Sequence, residues 1–272
     1  MWIRFTPSQK FNDMNLNLNN KNALVCGSTA GIGKATAIAL AHEGAHITLI
    51  ARNEDKLKAT LAELPNNGKQ QHDYLIADFS IPQQVASVVL ASKKAYHILI
   101  NNTGGPPGGP IVDADVNAFA KAFTQHLQVN HLLAQAVIQD MKKANFGRII
   151  NVISTSVKQP LDGLGVSNTI RGAVASWSKT MANELGAFGI TVNNVLPGDT
   201  ATGRLSEIIE NKAKKTGKSE ETIAQAMANA SPAKRFAQPE EIANAIVFLA
   251  SEAASYINGI NVPVDGGRTK SL

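Results

Sequence analysis

In the stretch GLGVSNTIRGAVASW, residues 163–177, a Gly- and Asn-containing start gives way to an Ala-rich pattern, and Ser167 and Arg171 fall one turn apart on the same helical face. A hydroxyl and a guanidinium so placed can hold an oxygen-rich group, since the guanidinium offers five N–H donors and a fixed positive charge. They are poorly suited to moving a proton. An alkoxide is too basic for efficient general acid–base work near neutral pH, and a guanidinium does not deprotonate in proteins.

A second run with chemistry in it, CGSTAGIGKA from Cys26, spaces Gly27, Gly31 and Gly33 between an apolar run and a helical pattern. Glycines there let the backbone turn sharply, approach a pyrophosphate without a Cβ in the way and pack helix against strand. The helix N-terminus then offers free N–H groups to the anion. The next apolar run ends in Ala51-Arg52-Asn53. A site for NAD(H) carries an acidic residue at that point for the ribose 2′-hydroxyl, whereas Arg52 suits a 2′-phosphate. NADP(H) is therefore expected over NAD(H), with Arg52 as a plain surface residue the alternative. Lys34 is a further candidate for a phosphate contact.

These residues need a frame to position them. Short runs rich in Val and Ile alternate with longer Ala-rich stretches, the mark of βαβ units around a parallel sheet. Strands are expected at 23–27, 46–51, 73–78, 97–102, 148–154, 190–196 and 260–265. The fold class that follows is α/β: a single Rossmann-like domain, its doubly wound seven-stranded parallel sheet covered by helices on both faces. A last helix opens at Pro239, Glu240 and Glu241, with Ile242, Ile246 and Leu249 as its apolar stripe. The segment 199–231 reads as the least regular, a polar lid over a site at the C-terminal strand ends. Residues 1–13 read as a loose extension before a domain spanning 14–272, without the apolar core of an export signal.

Length and composition agree with this frame. The chain has 272 residues, 44% of them hydrophobic, and 26 basic against 21 acidic side chains for a net +5. No block of like charge points to nucleic acid and no apolar run to a membrane span. Lys212, Lys214, Lys215 and Lys218 are interleaved with Glu207, Glu210, Glu220 and Glu221, which reads as a solvated helix or mobile segment, the alternative being steering of an anionic substrate. The single cysteine, Cys26, excludes an internal disulfide and, with no export signal, fits a cytoplasmic protein; it is expected to pack as a small apolar side chain. No metal site is read from the sequence.

Taken in order, Gly27-x-x-x-Gly31-x-Gly33, Asp78 in LIADF, NNTGG from Asn101, Asn130, RIINVIS ending at Ser154, VNNVLPG ending at Gly198 and VDGG at 264–267 resemble the short-chain dehydrogenase/reductase family. The likeness is strongest to its 3-oxoacyl-acyl-carrier-protein reductase branch and runs from Met14 to Gly267. It implies a nucleotide site built from Gly27, Ser28, Gly31, Ile32, Gly33, Arg52, Asp78 and Phe79. Asp78 would accept from the adenine amino group. Asn101 and Gly104 would support the cofactor, and Pro197, Gly198, Thr200 and Thr202 would meet the nicotinamide carboxamide and the phosphates. A dimer or tetramer is expected through the helices around Asn130 and Ser167.

The same resemblance places a carbonyl-polarising serine at Ser154 and a water-relay asparagine at Asn130. Where the family has its proton-donating tyrosine and, four residues on, a lysine, this chain has Ser167 and Arg171. The three tyrosines, Tyr74, Tyr96 and Tyr256, all fall outside this helix and the loop before it. Arg171 can keep the lysine's hold on the nicotinamide ribose, but Ser167 is too short to reach where a tyrosine hydroxyl would act. Lys158, His126 or a water are the candidates to carry the proton. The run GGPPGGP, 104–110, excludes helix and central strand and is read as a wall of the site or a plain connector. Two functions follow. The first is an NADP(H)-dependent oxidoreductase acting on a small-molecule carbonyl/alcohol or enoyl substrate, possible substrates including a 3-oxoacyl thioester. The second is a catalytically impaired NADP(H)-binding redox sensor or oligomer partner.

Overall fold

The computed structural model describes residues 14–271, so the extension expected over residues 1–13 lies outside the described residues. Strands β1 (Asn22–Cys26), β2 (His46–Ala51), β3 (Asp73–Ile76), β4 (Ile98–Asn101), β5 (Gly147–Val152), β6 (Ile190–Pro197) and β7 (Asn261–Val264) form one seven-stranded sheet. All neighbours pair in parallel, in the order β3-β2-β1-β4-β5-β6-β7. The chain reverses its direction of winding between β1 and β4, which opens a crevice at their carboxyl ends.

The helices are α1 (Gly31–His42), α2 (Glu54–Glu63), α3 (Pro82–Ala91), α4 (Val116–Phe123), α5 (Val129–Ala144), α6 (Gly165–Leu185), α7 (Gly203–Thr216), α8 (Glu220–Asn229) and α9 (Pro239–Ala250). Alternation along each strand sends side chains to two cores. Ala23 and Val25 of β1 pack with Leu40 of α1 and Ile246 of α9. Leu24 and Cys26 face the opposite way, toward Val85 of α3 and Leu133 of α5. Helices thus cover both faces of the sheet. Within its core Cys26 is fully buried, and burial pushes its thiol up to about 12, where it stays protonated and inert.

The expected strand over 148–154 stops at Val152, because Ser154 leaves the sheet to cap the tight turn 155–157, its Oγ accepting from the Ser156 N–H at 3.1 Å. The segment 199–231 differs more. It is not irregular but carries α7 and α8. Its charges pair along the helix surface, as Lys214 does with Glu210, and Ser219 caps α8 by accepting from Thr222 N–H. Helix α9 begins as its residues predict, with Pro239 in the first turn and the Glu241 carboxylate accepting from the Gln238 N–H at 2.8 Å.

Four asparagines stand in register across the carboxyl half of the sheet: Asn101, Asn151, Asn194 and Asn261. Asn101 Nδ2 donates to Asn151 Oδ1 at 2.8 Å, Asn151 Nδ2 to Asn194 Oδ1 at 2.9 Å, and Asn194 Nδ2 to Asn261 Oδ1 at 2.7 Å. This ladder ties four strands together directly beneath the crevice.

Candidate active site

Two adjoining cavities, of about 390 and 620 Å³, fill the crevice and share Gly27, Lys56, Thr103, Gly104 and Gly105. The turn after β1 forms one wall. Gly27 has φ +58°, and a Cβ on it would lie 2.5 Å from the Asn102 carbonyl oxygen; a Cβ on Gly33 would lie 2.2 Å from the Gly27 oxygen. Only glycine permits strand and helix to meet this closely. Asn102 clamps the turn, its Nδ2 donating to the carbonyls of Cys26 and Gly27 at 3.2 and 3.3 Å. Helix α1 has Ala30 at its N-cap, which gives no side-chain cap, and no acidic residue in its first turn. Its first N–H groups therefore point at the cleft without a protein side chain to satisfy them.

The smaller cavity is lined by Arg52, Asn53, Asp78 and Phe79 besides the shared Lys56. Asn53 caps α2 by accepting from Lys56 N–H at 2.9 Å. That cap sets Lys56 one turn from Arg52, and neither forms an ion pair among the described residues. Asp78 holds its own turn: Oδ1 accepts from both the N–H and the hydroxyl of Ser80 at 2.8 Å, and these bonds, with nearby Arg52, hold its carboxyl below the usual range. Lys34 points elsewhere. It pairs with Glu63 at the end of α2 at 2.7 Å and is not among the lining residues of either cavity.

The larger cavity is lined by Gly31, Ile32, Arg171, Pro197, Gly198, Thr200 and Thr202, all expected there, and by Val152 and Ile153 at the end of β5. Ser28, Gly33, Asn101, Asn130, Ser154 and Ser167 are not among the lining residues of either cavity. Ser28 is fully buried, its Oγ without a partner. Asn101 turns its amide into the ladder. Asn130 is buried on α5, Ser154 caps its turn next to lining residue Ile153, and Ser167 is half-buried in the first turn of α6.

Arg171, 7% exposed, crosses from α6 to the strand ends, where Nη1 donates to the Val152 carbonyl at 2.9 Å and Nη2 to the Thr103 carbonyl at 3.5 Å. Burial lowers its pKa to about 10, so it remains charged at neutral pH. Thr103 Oγ1 in turn meets His126 Nδ1 at 2.7 Å. His126 lies in a π-helical turn, 124–128, between α4 and α5 and is 1% exposed. Burial first and Arg171 second lower its pKa to about 3. The imidazole is thus neutral at pH 7, and His126 is not among the lining residues of either cavity. Lys158 ends the turn 155–157 outside both cavity linings, its carbonyl accepting from Ser271 Oγ at 3.4 Å. No tyrosine enters the cleft: Tyr74 donates to Glu54, Tyr96 is buried beside Ser92, and Tyr256 is fully exposed.

The Gly-Pro run is part of the wall. Gly104 and Gly105 line both cavities, Gly109 N–H donates to the Gly163 carbonyl at 2.7 Å just before α6, and Arg204 of α7 reaches across to the Pro106 carbonyl at 3.2 Å. Lys56, Asn102, Thr103 and Arg204 were not foreseen. For Lys56 a signal existed, since it follows Arg52 by one helical turn. Among the described residues no group of three or more His, Cys, Asp or Glu side chains could hold a metal ion, and no helix is long and apolar enough to cross a membrane.

The family model described as enoyl-(acyl carrier protein) reductase matches residues 27–269. A short chain dehydrogenase/reductase, astE, from Aspergillus oryzae is 31% identical, over 94% of this chain and 97% of its own. The NADPH-dependent reductase BacG of Bacillus subtilis is 29% identical, over 94% of this chain and all of its own. Among solved structures, L-sorbose reductase from Gluconobacter frateurii, complexed with NADPH and L-sorbose, superposes with a TM-score of 0.89 at 33% identity, covering 95% of this chain and 100% of that one.

Proposed function

Because this chain belongs to the short-chain dehydrogenase/reductase family, we propose that it is an oxidoreductase that binds NADP(H) in the cleft and interconverts a carbonyl and an alcohol, or reduces an enoyl group, on a small molecule. The observation that carries the reading is the pair Arg52 and Lys56: two cations outside any ion pair at the end of the cleft where a 2′-phosphate belongs. The residues fit the cofactor elsewhere too. The uncapped start of α1 receives the pyrophosphate, with Gly27, Ser28, Gly31, Ile32 and Gly33 shaping the approach. Asp78 and Phe79 border the adenine, while Asn101, through the strand it anchors, and Gly104 support the adjoining ribose. Pro197, Gly198, Thr200 and Thr202 border the carboxamide and phosphates, and Arg171 donates to the second ribose.

Bound there, the nicotinamide supplies or accepts a hydride. The chain's own part is to orient the substrate oxygen with Ser154 and to hold the π-helical turn and its following helix, with Asn130, in place behind it. Ser167 and Arg171 occupy the positions of the family's tyrosine and lysine, so this active site lacks the usual proton donor. A 3-oxoacyl thioester is one substrate class to try, and dimeric or tetrameric assembly in the cytoplasm fits the reading.

Titration of the purified protein with NADPH and NADH, followed by turnover of the loaded protein on carbonyl and enoyl-thioester panels, tests it. NADPH binding at least tenfold tighter than NADH, with turnover reduced in Ser154→Ala, is the expected result; failure of both nucleotides to bind sinks the reading. The absence of a tyrosine from the cleft favours one second reading, a nucleotide-binding sensor or oligomer partner without turnover. Tight NADPH binding with no turnover on any panel member would select it.

A further inference from the structure

Six arginines fall within the described residues, and four of them face carboxylates: Arg148 with Glu252, Arg204 with Glu207, Arg235 with Glu241 and Arg268 with Asp199. The remaining two, Arg52 and Arg171, both line the cleft. Arg52 is exposed and solvated, whereas Arg171 is buried. Arg148, the other buried arginine, is satisfied differently. It donates to the carbonyls of Ser251, Gly147 and Gly189, packs on the Phe146 ring and has Glu252 at 3.5 Å. Arg171 has two neutral carbonyls and no carboxylate. Of its five N–H donors, three find no protein acceptor. Arg171 lines the larger cavity.

A buried charge without a counter-charge is costly, and neutral ribose hydroxyls do not require a charge. We infer that Arg171 is a catalytic residue that receives the negative charge developing on the substrate oxygen, in place of a proton donor. The inference rests on the oxidoreductase reading. In reduction, the two electrons that arrive with a hydride at the carbonyl carbon displace the C=O π pair onto oxygen, and the guanidinium stabilises the resulting alkoxide. The alkoxide then takes a proton from water, leaving hydroxide to the solvent. With an enoyl thioester the hydride adds to the β-carbon, the displaced pair reaches the thioester oxygen as an enolate, and water protonates the α-carbon. Donors fixed in advance suit this task, and no side-chain acid is needed. That agrees with a neutral His126 and a cleft without tyrosine.

The test compares wild type with Arg171→Gln, which keeps an amide donor for a hydroxyl but loses the charge, and Arg171→Lys, which keeps the charge. Sodium formate serves as the oxyanion probe, with binding read by calorimetry and by the shift in Tm, with and without NADP⁺. The formate arms use an Arg52→Ser background, so that the other unpaired arginine cannot respond. Formate is expected to raise the Tm both with Arg171 intact and in Arg171→Lys, and to bind at least tenfold more weakly to Arg171→Gln. The NADPH affinity of Arg171→Gln falls by less than tenfold, since the amide still donates to the ribose, while kcat on an active panel substrate falls about 10²- to 10³-fold with KM little changed. Equal formate responses with Arg171 intact and in Arg171→Gln, or a tenfold loss of NADPH affinity with kcat preserved, would overturn the inference and leave Arg171 as a ribose ligand. Failure of wild type to bind NADPH would instead remove the oxidoreductase reading, while the formate arms without nucleotide still decide whether Arg171 receives an anion.

Discussion

Thr103 Oγ1 lies 2.7 Å from Nδ1 of His126, so a residue that lines the cleft is held from behind by a buried, uncharged imidazole. The same threonine accepts from Arg171 through its carbonyl, which links the π-helical turn, the end of β4 and α6 through one residue. Protonating His126 would put a second positive charge beside Arg171 in a space that already disfavours one.

The pH dependence of stability follows from that pair. His126 has a folded pKa of about 3 against an ordinary value of 6.5, lowered by burial and then by Arg171. In the unfolded chain the ring takes a proton as pH falls through 6.5, and in the folded chain it does not. The stability it allows is thus present above about 6.5 and is lost as pH falls toward 3, at a limiting slope of roughly 1.4 kcal/mol per unit. His72 and His97, also lowered chiefly by burial, act in the same direction. Urea unfolding of wild type and His126→Asn at about pH 7, 5 and 4 isolates the contribution. The gap between them is expected to shift in favour of the variant with each step down. A gap independent of pH would show that the ring titrates normally in the folded protein.

Nucleotide preference is expected to turn on Arg52. Replacing it with Asp removes a charge-assisted contact to a 2′-phosphate and offers a carboxylate to a 2′-hydroxyl instead. NADPH should bind about 10- to 100-fold more weakly to Arg52→Asp, with NADH unchanged or improved. Lys56→Ala should weaken NADPH alone, by a smaller factor. Fluorescence titration of both nucleotides reads this directly, and equal losses for NADPH and NADH would place the 2′-phosphate elsewhere.

The asparagine ladder makes a prediction about the floor of the site. In Asn151→Ala, Asn101 Nδ2 loses its acceptor and Asn194 Oδ1 its donor in the middle of a buried sheet. Leaving buried polar groups unsatisfied costs about 1 to 3 kcal/mol each, so a loss of about 2 to 6 kcal/mol is expected by chemical denaturation. A change below about 1 kcal/mol would mean that the strand ends relax or admit water without strain.

The strands and the two-faced sheet were legible in the sequence because each fully buried strand is a short Val- and Ile-rich run, such as HITLIA, that no amphipathic helix would contain. Gly27, Arg52 and Pro197 were legible as residues of the cleft because each sits immediately after or at the end of such a run. What the sequence hid is of two kinds. Helices α7 and α8 expose most of their surface, so they bury too few residues to leave an apolar stripe, and their charges read as loop. The linkage of Thr103 with His126 and Arg171 joins three separate elements, and no local spacing encodes it. The pairing of Lys34 with Glu63 likewise joins two helices that no local spacing brings together.

The closest approach in the wall formed by the turn after β1 gives the last prediction. A methyl group on Gly33 would stand 2.2 Å from the Gly27 carbonyl oxygen and 2.6 Å from Asn102 Nδ2, far inside contact distance. Neither neighbour is free to yield: the Gly27 oxygen accepts from Asn102, and Gly27 N–H donates to the Ile50 carbonyl at 3.0 Å. Gly33→Ala must therefore push α1 away from the end of β1. Overpacking of this kind costs about 1 to 3 kcal/mol, a fall in Tm of several degrees for a chain of this size. The displaced helix start should cost binding more than stability, because the N–H groups of α1 would no longer converge on the cleft. Thermal melts and nucleotide titrations of the same variant separate the two effects. The expected outcome is a folded protein whose affinity for NADPH and NADH falls together by more than tenfold, since both share the pyrophosphate; a variant that melts lower yet binds both normally would show that the wall tolerates the shift.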